Sequence, residues 1–264
     1  MHQINERINQ IIQKTKSYTT FQNTGDRYKC SKCKDTGWIL EDKTNTWVKC
    51  SCYEKELAER RWRAFGVNPK DVKSINEYIP YDETTRKAKM KAESYLKNFD
   101  KICSDRENSF GLFGQPGAGK THLIVAIGAA LLNREPNPVT VVYMPYLEAI
   151  KELKANALDH EYYIRIVSKY QEAKLLIIDD LFKDKIKKGE VVGELTETDI
   201  KHIYPIINYR YINKLPTLIS TECTPDMLLE LDEALAGRIL ETCGDNMVIF
   251  SGPKYNFRMR KFKK

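Results

Sequence analysis

The stretch GLFGQPGAGKTHL, residues 111–123, decides the fold of this chain. Positions 114–121 fit the pattern G-x-x-x-x-G-K-[ST] of the phosphate-binding loop, whose glycines let backbone N–H groups approach a polyphosphate closely. Lys120 is expected to contact the β- and γ-phosphates, and the Thr121 hydroxyl is expected to hold Mg²⁺. The residues assigned to phosphate binding are Gly114, Gln115, Pro116, Gly117, Ala118, Gly119, Lys120, Thr121 and His122.

The flanks of this loop support the assignment. The short apolar run SFGLFG precedes the loop, and the apolar, alanine-rich segment THLIVAIGAALLN follows it without a helix breaker until Pro136. A phosphate loop needs this context, because the N-terminus of the following helix adds unpaired N–H groups and a positive dipole end to the anion site. The sequence therefore predicts a nucleotide site rather than a glycine-rich turn.

Strand and helix signals alternate through the rest of the chain. The predicted strands are VTVVYM, KLLIIDDL and LPTLISTE, and the predicted helices span residues 146–172, about 198–212 and about 225–242. A further helix is predicted from about residue 84, before the loop. Strands that alternate with helices indicate an α/β fold with a parallel sheet between helices.

Two adjacent carboxylates complete the predicted nucleotide site. The unbroken apolar run Leu175–Ile178 is typical of a strand buried on both faces, and Asp179 and Asp180 follow at its carboxyl end, where ligands collect in open α/β sheets. Asp179 is expected to hold Mg²⁺ indirectly. Asp180 is expected to orient or deprotonate a water molecule.

Two further polar residues leave alternatives open. Thr221, at the end of the strand LPTLISTE, either caps the helix that follows or senses the γ-phosphate. Arg238 lies on an otherwise apolar helical face in EALAGRILE. It is either an ion-pair partner or an arginine finger that completes the site of a neighbouring subunit.

Four cysteines form a predicted metal module before the ATPase motifs. Cys30 and Cys33 in CSKC are separated by sixteen residues from Cys50 and Cys52 in CSC. Two close thiolate pairs joined by a hairpin-length insert can converge on one tetrahedral Zn²⁺, and an all-sulfur site leaves no position for water. We therefore expect a structural zinc. The other cysteines lack partners at ligand spacing and are expected to be structural: Cys103, Cys223 and Cys243.

Composition excludes some classes of protein and favours others. The chain has 264 residues and a formal charge of +7, which favours contact with nucleic acid or an acidic partner. The N-terminus has no uninterrupted apolar core of a signal peptide, and no run of apolar residues is long enough to span a membrane, so a cytoplasmic protein is expected. Residues Ile4, Ile8, Ile11 and Ile12 recur at helical spacing, as in an amphipathic helix that binds a partner or packs on its own domain.

The combination of motifs resembles one family, the DnaC/DnaI-type replicative helicase loaders of bacteria and phages, which are AAA+ ATPases. The matching segments lie between about residues 28 and 258 and are YKCSKCKDTGWI with KCSCY, GLFGQPGAGKTHL, LLIIDDL, IINYRYINKLPTLISTE and ALAGRILE. The resemblance implies a small zinc-binding N-terminal domain, residues 1–75, that docks on a hexameric replicative helicase. It also implies an AAA+ ATPase domain, residues 80–264.

In such loaders ATP supports assembly with helicase and single-stranded DNA, self-assembly on the helicase is possible, and hydrolysis accompanies release. The resemblance places Thr221 and Glu222 at the sensor that contacts phosphate, where relatives often have Asn, and Arg258 at the closing arginine of the C-terminal segment. The net positive charge predicts weak, salt-sensitive binding of single-stranded DNA. Two other functions remain open, a helper ATPase of a transposition system and a zinc-bearing DNA-binding adaptor with a structural nucleotide.

Overall fold

The computed structural model describes residues 28–41, 44–252 and 255–257. The predicted amphipathic helix that contains Ile4 lies outside the described residues, as does the predicted closing arginine Arg258. The chain forms two compact units that divide between Leu57 and Ala58. In the described ranges, no helix combines the length and the apolar composition needed to cross a bilayer.

The first unit is built on a two-stranded antiparallel hairpin. Strand β1 (Trp38–Glu41) pairs with β2 (Thr46–Lys49), with Ile39 opposite Val48. Helix α1 (Ser51–Phe65) follows directly and continues into the second unit. An isolated hairpin is marginally stable in water, because it buries little apolar surface. Among the described residues of this unit, Cys33 and Cys50 are the buried ones, so its centre consists of cysteine sulfur.

The second unit contains a five-stranded parallel sheet. Its strands are β3 (Phe110–Gly114), β4 (Val141–Pro145), β5 (Leu175–Leu181), β8 (Thr217–Thr221) and β9 (Met247–Phe250). A small hairpin of β6 (Ile186–Lys187) and β7 (Glu190–Val191) interrupts the series. The order across the sheet is β4-β5-β8-β3-β9, with all neighbours parallel. The predicted α/β fold with a parallel sheet between helices is confirmed.

Seven helices of the described chain surround or precede this sheet in the second unit. They are α2 (Glu83–Ile102), α3 (Lys120–Leu132), α4 (Tyr146–Ala155), α5 (His160–Gln171), α6 (Glu197–Ile212), α7 (Pro225–Leu231) and α8 (Glu233–Cys243).

Two predicted helices are each divided in the structure. The helix predicted over 146–172 breaks before Asp159, whose side chain accepts a hydrogen bond from Tyr162 N at 3.0 Å and begins α5. The helix predicted over 225–242 breaks at Asp232, which accepts from Leu235 N at 2.7 Å and begins α8. In both cases an internal N-cap aspartate ends one helix and starts the next.

Both faces of the sheet are covered by apolar cores. In β5, Leu176 and Ile178 belong to one core, and Leu175 and Ile177 belong to the other. Successive side chains of a strand point to opposite faces, so a strand buried on both faces needs a continuous apolar run. All four side chains are fully buried.

The second unit begins earlier along the chain than the predicted ATPase domain. Phe65, Ile75 and Tyr78 are buried in the core that also holds Leu123 of α3 and Val248 of β9. Residues that the sequence assigned to the first domain and to a linker therefore contribute to the second compact unit. The functional division at 75–80 stays a prediction.

Candidate nucleotide site and cysteine cluster

The phosphate loop joins β3 to α3, as the sequence predicts. Gly114 has φ 94°, and a Cβ on it would meet the Phe250 carbonyl oxygen at 2.3 Å. Gly119 has φ 83° and would place a Cβ 2.7 Å from the Tyr78 ring. Glycine is required at both positions, because other residues rarely adopt such φ values and no room exists for a side chain.

Lys120 lies at the start of α3 and is nearly buried. Its Nζ donates hydrogen bonds to the carbonyl oxygens of Gly114, at 2.6 Å, and Gln115, at 2.8 Å. The ammonium group is thereby held over the loop whose backbone would bind phosphate. This arrangement positions the charge before any ligand arrives.

Asp179 is the centre of a hydrogen-bond network at the end of β5. Its Oδ1 accepts from Thr121 Oγ1 at 2.9 Å and also from Ser220 Oγ, while its Oδ2 accepts from Tyr143 OH at 2.7 Å. Burial, followed by the charge of Asp179, raises the pKa of Tyr143, so the phenol remains a donor. A hydroxyl beside a carboxylate matches the oxygen ligands that Mg²⁺ prefers, so Thr121 and Asp179 fit a magnesium site.

The contacts of Tyr143 and Ser220 with Asp179 were not expected from the sequence. Tyr143 lies in β4 and Ser220 in β8, the two strands that flank β5 in the sheet. Strand order is what brings them to Asp179, and strand order cannot be read from the local pattern of either segment. A polar residue at a strand's carboxyl end was the available signal for Ser220.

Asp180 occupies a different environment from Asp179. Its φ of 54° lies in the left-handed region, and the pairing of β5 with β8 is irregular between Ile178 and Leu181. The backbone N–H of Asp180 donates to Ser220 Oγ at 3.0 Å. Asp180 also lines the cavity beside the phosphate loop, so its position suits a group that acts on water.

A cavity of about 710 Å³ opens next to the loop. Its walls include loop residues from Pro116 to His122 and the charged residues Asp180, Lys183 and Glu222. Aromatic and aliphatic side chains form an apolar part of the wall: Tyr78, Ile79, Tyr81 and Phe257. The volume is within the range of small-molecule sites, and charged residues next to an apolar wall suit a nucleotide.

The aromatic wall was missed in the sequence, where its residues lie in a segment interpreted as linker and in the C-terminal segment. Tyr78 OH donates to Ala118 O at 2.9 Å, and the rings of Tyr81 and Phe257 stack at a centroid distance of 6.2 Å. Phe257 N donates to Gly117 O at 3.1 Å. The two segments therefore contact the phosphate loop directly.

Thr221 does not cap the helix that follows its strand, and its role as a sensor of the γ-phosphate stays a prediction. Its buried hydroxyl donates to Leu181 O at 2.7 Å and accepts from Cys223 N at 3.0 Å. The following helix is capped instead by Thr224, which accepts from Met227 N at 3.3 Å. In the part of the chain that the structure describes, Glu222 lines the cavity and Thr221 does not. Thr221 is the last residue of the buried strand β8, and Glu222 follows the strand and lines the cavity.

Arg238 is held within its own domain by neutral partners. Its guanidinium donates to Asn208 Oδ1 at 3.0 Å, Ala234 O at 2.7 Å and Tyr204 OH at 2.9 Å. The same group lies 5.0 Å from the centroid of the Tyr204 ring. These contacts differ from the ion pair considered in the sequence, and Arg238 is not among the described residues of the cavity wall. A role as a finger in a neighbouring subunit's site stays a prediction.

The four predicted zinc ligands converge in the first unit. The Sγ atoms of Cys30, Cys33, Cys50 and Cys52 all lie within 4.8 Å of one another. Cys30 Sγ is 3.7 Å from Cys50 Sγ, and Cys33 Sγ is 3.3 Å from Cys52 Sγ. A tetrahedral ion with zinc–sulfur bonds of about 2.3 Å requires sulfur atoms about 3.8 Å apart. The cluster therefore fits zinc in size and in donor type.

We expect about one zinc per chain in protein purified without a chelator, measured by elemental analysis. Cys33→Ser should remove the metal and the ordered structure of residues 28–57, because sulfur occupies the centre of that unit. Cys103→Ser is the matched control. Cys103 lies outside the cluster, so this variant protein should retain the metal. Metal-free wild-type protein with a folded first unit would contradict the assignment.

The chain is similar to known bacterial proteins in sequence and to solved structures in fold. The bacterial DnaA ATPase domain family matches residues 84–242. The phage-like element PBSX protein XkdC of Bacillus subtilis (strain 168) is 32% identical over 249 residues, covering 90% of this chain and 88% of XkdC. The crystal structure of the DnaC helicase loader superposes with a TM-score of 0.54 at 21% identity, covering 73% of this chain and 99% of that one. The crystal structure of DnaI gives 0.52 at 20% identity, covering 69% and 89%.

Proposed function

We propose that the chain, which belongs to the bacterial DnaA ATPase domain family, is an ATP-dependent loader of a replicative DNA helicase. Its fold is the AAA+ fold of DnaC and DnaI, so the resemblance inferred from the sequence is confirmed. In the proposal, the protein binds the helicase, delivers it onto single-stranded DNA and hydrolyses ATP as it releases. A cytoplasmic location is part of the same proposal.

The observation that carries the proposal is the convergence of four groups on one edge of the parallel sheet. Lys120 and Thr121 come from the start of α3, and Asp179 and Asp180 come from the end of β5. The Thr121–Asp179 hydrogen bond of 2.9 Å joins the two elements across 58 residues of sequence. Within one site, Lys120 can therefore bind phosphate, Thr121 and Asp179 can hold magnesium, and Asp180 can orient water.

The chemistry assigned to these residues is phosphoanhydride hydrolysis. ATP supplies the bond that is broken, and Mg²⁺ supplies charge neutralisation. Lys120 binds the phosphates, and Thr121 and Asp179 hold the metal ion. Tyr143 and Ser220 fix the orientation of the Asp179 carboxylate, because both donate hydrogen bonds to it. Asp180 orients the attacking water and accepts its proton.

The proposal divides the work between the two parts of the chain. Residues 1–75 dock on the helicase, and residues 80–264 bind ATP and single-stranded DNA. Three apolar side chains of the first unit support this division, since Trp38, Leu40 and Tyr53 are each at least 40% exposed. Exposed aromatic and aliphatic side chains on so small a unit favour a protein partner. The net charge of +7 favours contact with DNA phosphates.

Affinity purification with the replicative helicase of the same genome tests the proposal. We expect the purified chain to retain the helicase in the presence of ATP, and we expect added single-stranded DNA to be retained with the complex. Binding of the DNA should weaken as salt rises, because phosphate contacts release counterions. The loader proposal would be overturned if the chain hydrolyses ATP but retains no helicase, either with ATP or without it. That result would leave the ATPase assignment intact.

A further inference from the structure

The segment after β5 follows an uncommon backbone path. Asp180 and Phe182 have φ values of 54° and 58°, in the left-handed region that residues other than glycine rarely adopt. The Phe182 ring is buried, and it packs edge-on against Tyr146 at a centroid distance of 5.4 Å. Burial of this ring holds the strained conformation in place. The 3₁₀ turn that follows begins at Lys183.

This turn brings Lys183 into an ion pair in the nucleotide cavity. Its Nζ contacts the carboxylate of Glu222, which follows β8, the strand adjacent to β5. Both side chains line the cavity with Lys120 and Asp180. The Glu222 side chain is 11% exposed, so its charge is poorly hydrated and depends on the lysine.

The charges of the cavity explain what the pair can do. The described lining contains three lysines and three carboxylates: Lys73, Lys120, Lys183, Glu77, Asp180 and Glu222. A polyphosphate is repelled by a carboxylate in the same cavity and attracted by an ammonium group. Any phosphate that approaches Lys183 therefore competes with Glu222 for that ammonium group.

We propose that Lys183 and Glu222 form a positioning pair that makes the site discriminate nucleoside triphosphate from diphosphate. Lys183 contacts the terminal phosphate of the triphosphate, and Glu222 holds the lysine in place when that phosphate is absent. The inference rests on the proposed ATP site. In this inference, the Lys183–Glu222 ion pair responds to the terminal phosphate. The hydroxyl of Thr221 does not, because it is buried and donates to Leu181 O.

The two partners should have opposite effects when they are changed separately. Lys183→Met should lower affinity for the non-hydrolysable analogue AMPPNP about tenfold, which equals about 1.4 kcal/mol, and leave ADP affinity within about twofold. Glu222→Gln should raise AMPPNP affinity several-fold, because the amide keeps the shape of the side chain and releases the ammonium group. Lys183→Arg should restore discrimination in part. Lys187→Met is the matched control, because Lys187 is an exposed lysine of β6.

Both dissociation constants are measured by calorimetric titration of each variant with AMPPNP and ADP in Mg²⁺ buffer. Equal losses for both nucleotides, or weaker AMPPNP binding in both Lys183→Met and Glu222→Gln, would overturn the proposal and indicate a purely structural pair. A gain in affinity in Glu222→Gln cannot arise from misfolding, so this variant keeps the test decisive if Lys183→Met is unstable. A wild-type protein that binds neither nucleotide would instead refute the ATP site itself.

Discussion

Replacing Lys120 by alanine is expected to lower the affinity for ATP by about a hundredfold or more, because charge-assisted hydrogen bonds to phosphate are lost in a nearly buried site. The Lys120 Nζ atom already lies over the loop, bonded to the carbonyls of Gly114 and Gln115. The cationic group is therefore positioned in advance, next to the backbone that would bind the phosphates. Titration with AMPPNP measures the loss without interference from hydrolysis.

The structural role of Lys120 has to be separated from its binding role. In the alanine variant the carbonyls of Gly114 and Gln115 lose a donor, which costs about 1–3 kcal/mol if water does not replace it. Circular dichroism and thermal unfolding should therefore show a folded protein with a lower melting temperature. Lys174→Ala, an exposed lysine before β5, serves as the control for charge loss alone. Unchanged ATP affinity in a folded Lys120→Ala variant would remove the site assignment.

Features that depend on short stretches of sequence were predictable. The phosphate loop, the strand Leu175–Leu181 and the four-cysteine module are each encoded by adjacent or closely spaced residues. The loop needs glycines and a lysine at fixed offsets, and a strand buried on both faces needs an unbroken apolar run. Such patterns have few alternative explanations, so the fold class and the principal residues of the candidate site followed from them.

Features that depend on strand order or on irregular backbone were not predictable. Tyr143 and Ser220 reach Asp179 because β4 and β8 flank β5, and nothing in their own segments indicates that contact. The short strand β9 (Met247–Phe250) was missed because four apolar residues between polar neighbours are also compatible with a loop. The cavity residue Lys183 depends on left-handed φ values at Asp180 and Phe182, which their residue types do not announce.

Arg210 illustrates the same limit in the core of the second unit. Its guanidinium is 2% exposed and donates to Thr217 Oγ1 and to four backbone carbonyl oxygens, those of Tyr170, Gln171, Ala173 and Pro216. Burial lowers its pKa to about 9, so it remains charged at neutral pH. In the sequence a single arginine in a helix is typical of a solvated residue. Only the three-dimensional structure shows that it joins the end of α5 to the start of β8 through these carbonyl oxygens.

Replacing Asp180 by asparagine is expected to lower the rate of ATP hydrolysis by about a hundredfold to ten-thousandfold, the contribution typical of a general base. Affinity for ATP should change by less than about threefold, because the amide keeps the size of the side chain and Asp180 is not assigned to the metal ion. The measurement is phosphate release at saturating ATP, compared with AMPPNP titration of the same variant.

The adjacent carboxylate supplies the matched comparison. Asp179 accepts hydrogen bonds from Thr121, Tyr143 and Ser220, and an asparagine at this position would present an NH₂ group to donors that need an acceptor. Asp179→Asn should therefore weaken Mg²⁺-dependent nucleotide binding and lower stability together, whereas Asp180→Asn should lower hydrolysis and leave binding and stability unchanged.

The effect of Asp180→Asn on hydrolysis also decides between a loader that hydrolyses ATP and an adaptor in which the nucleotide only supports the fold. If Asp180→Asn bound ATP normally and kept the wild-type rate of phosphate release, Asp180 would have no role in hydrolysis. If the wild-type protein bound ATP with no measurable phosphate release, alone or with helicase and single-stranded DNA, the adaptor function would replace the loader.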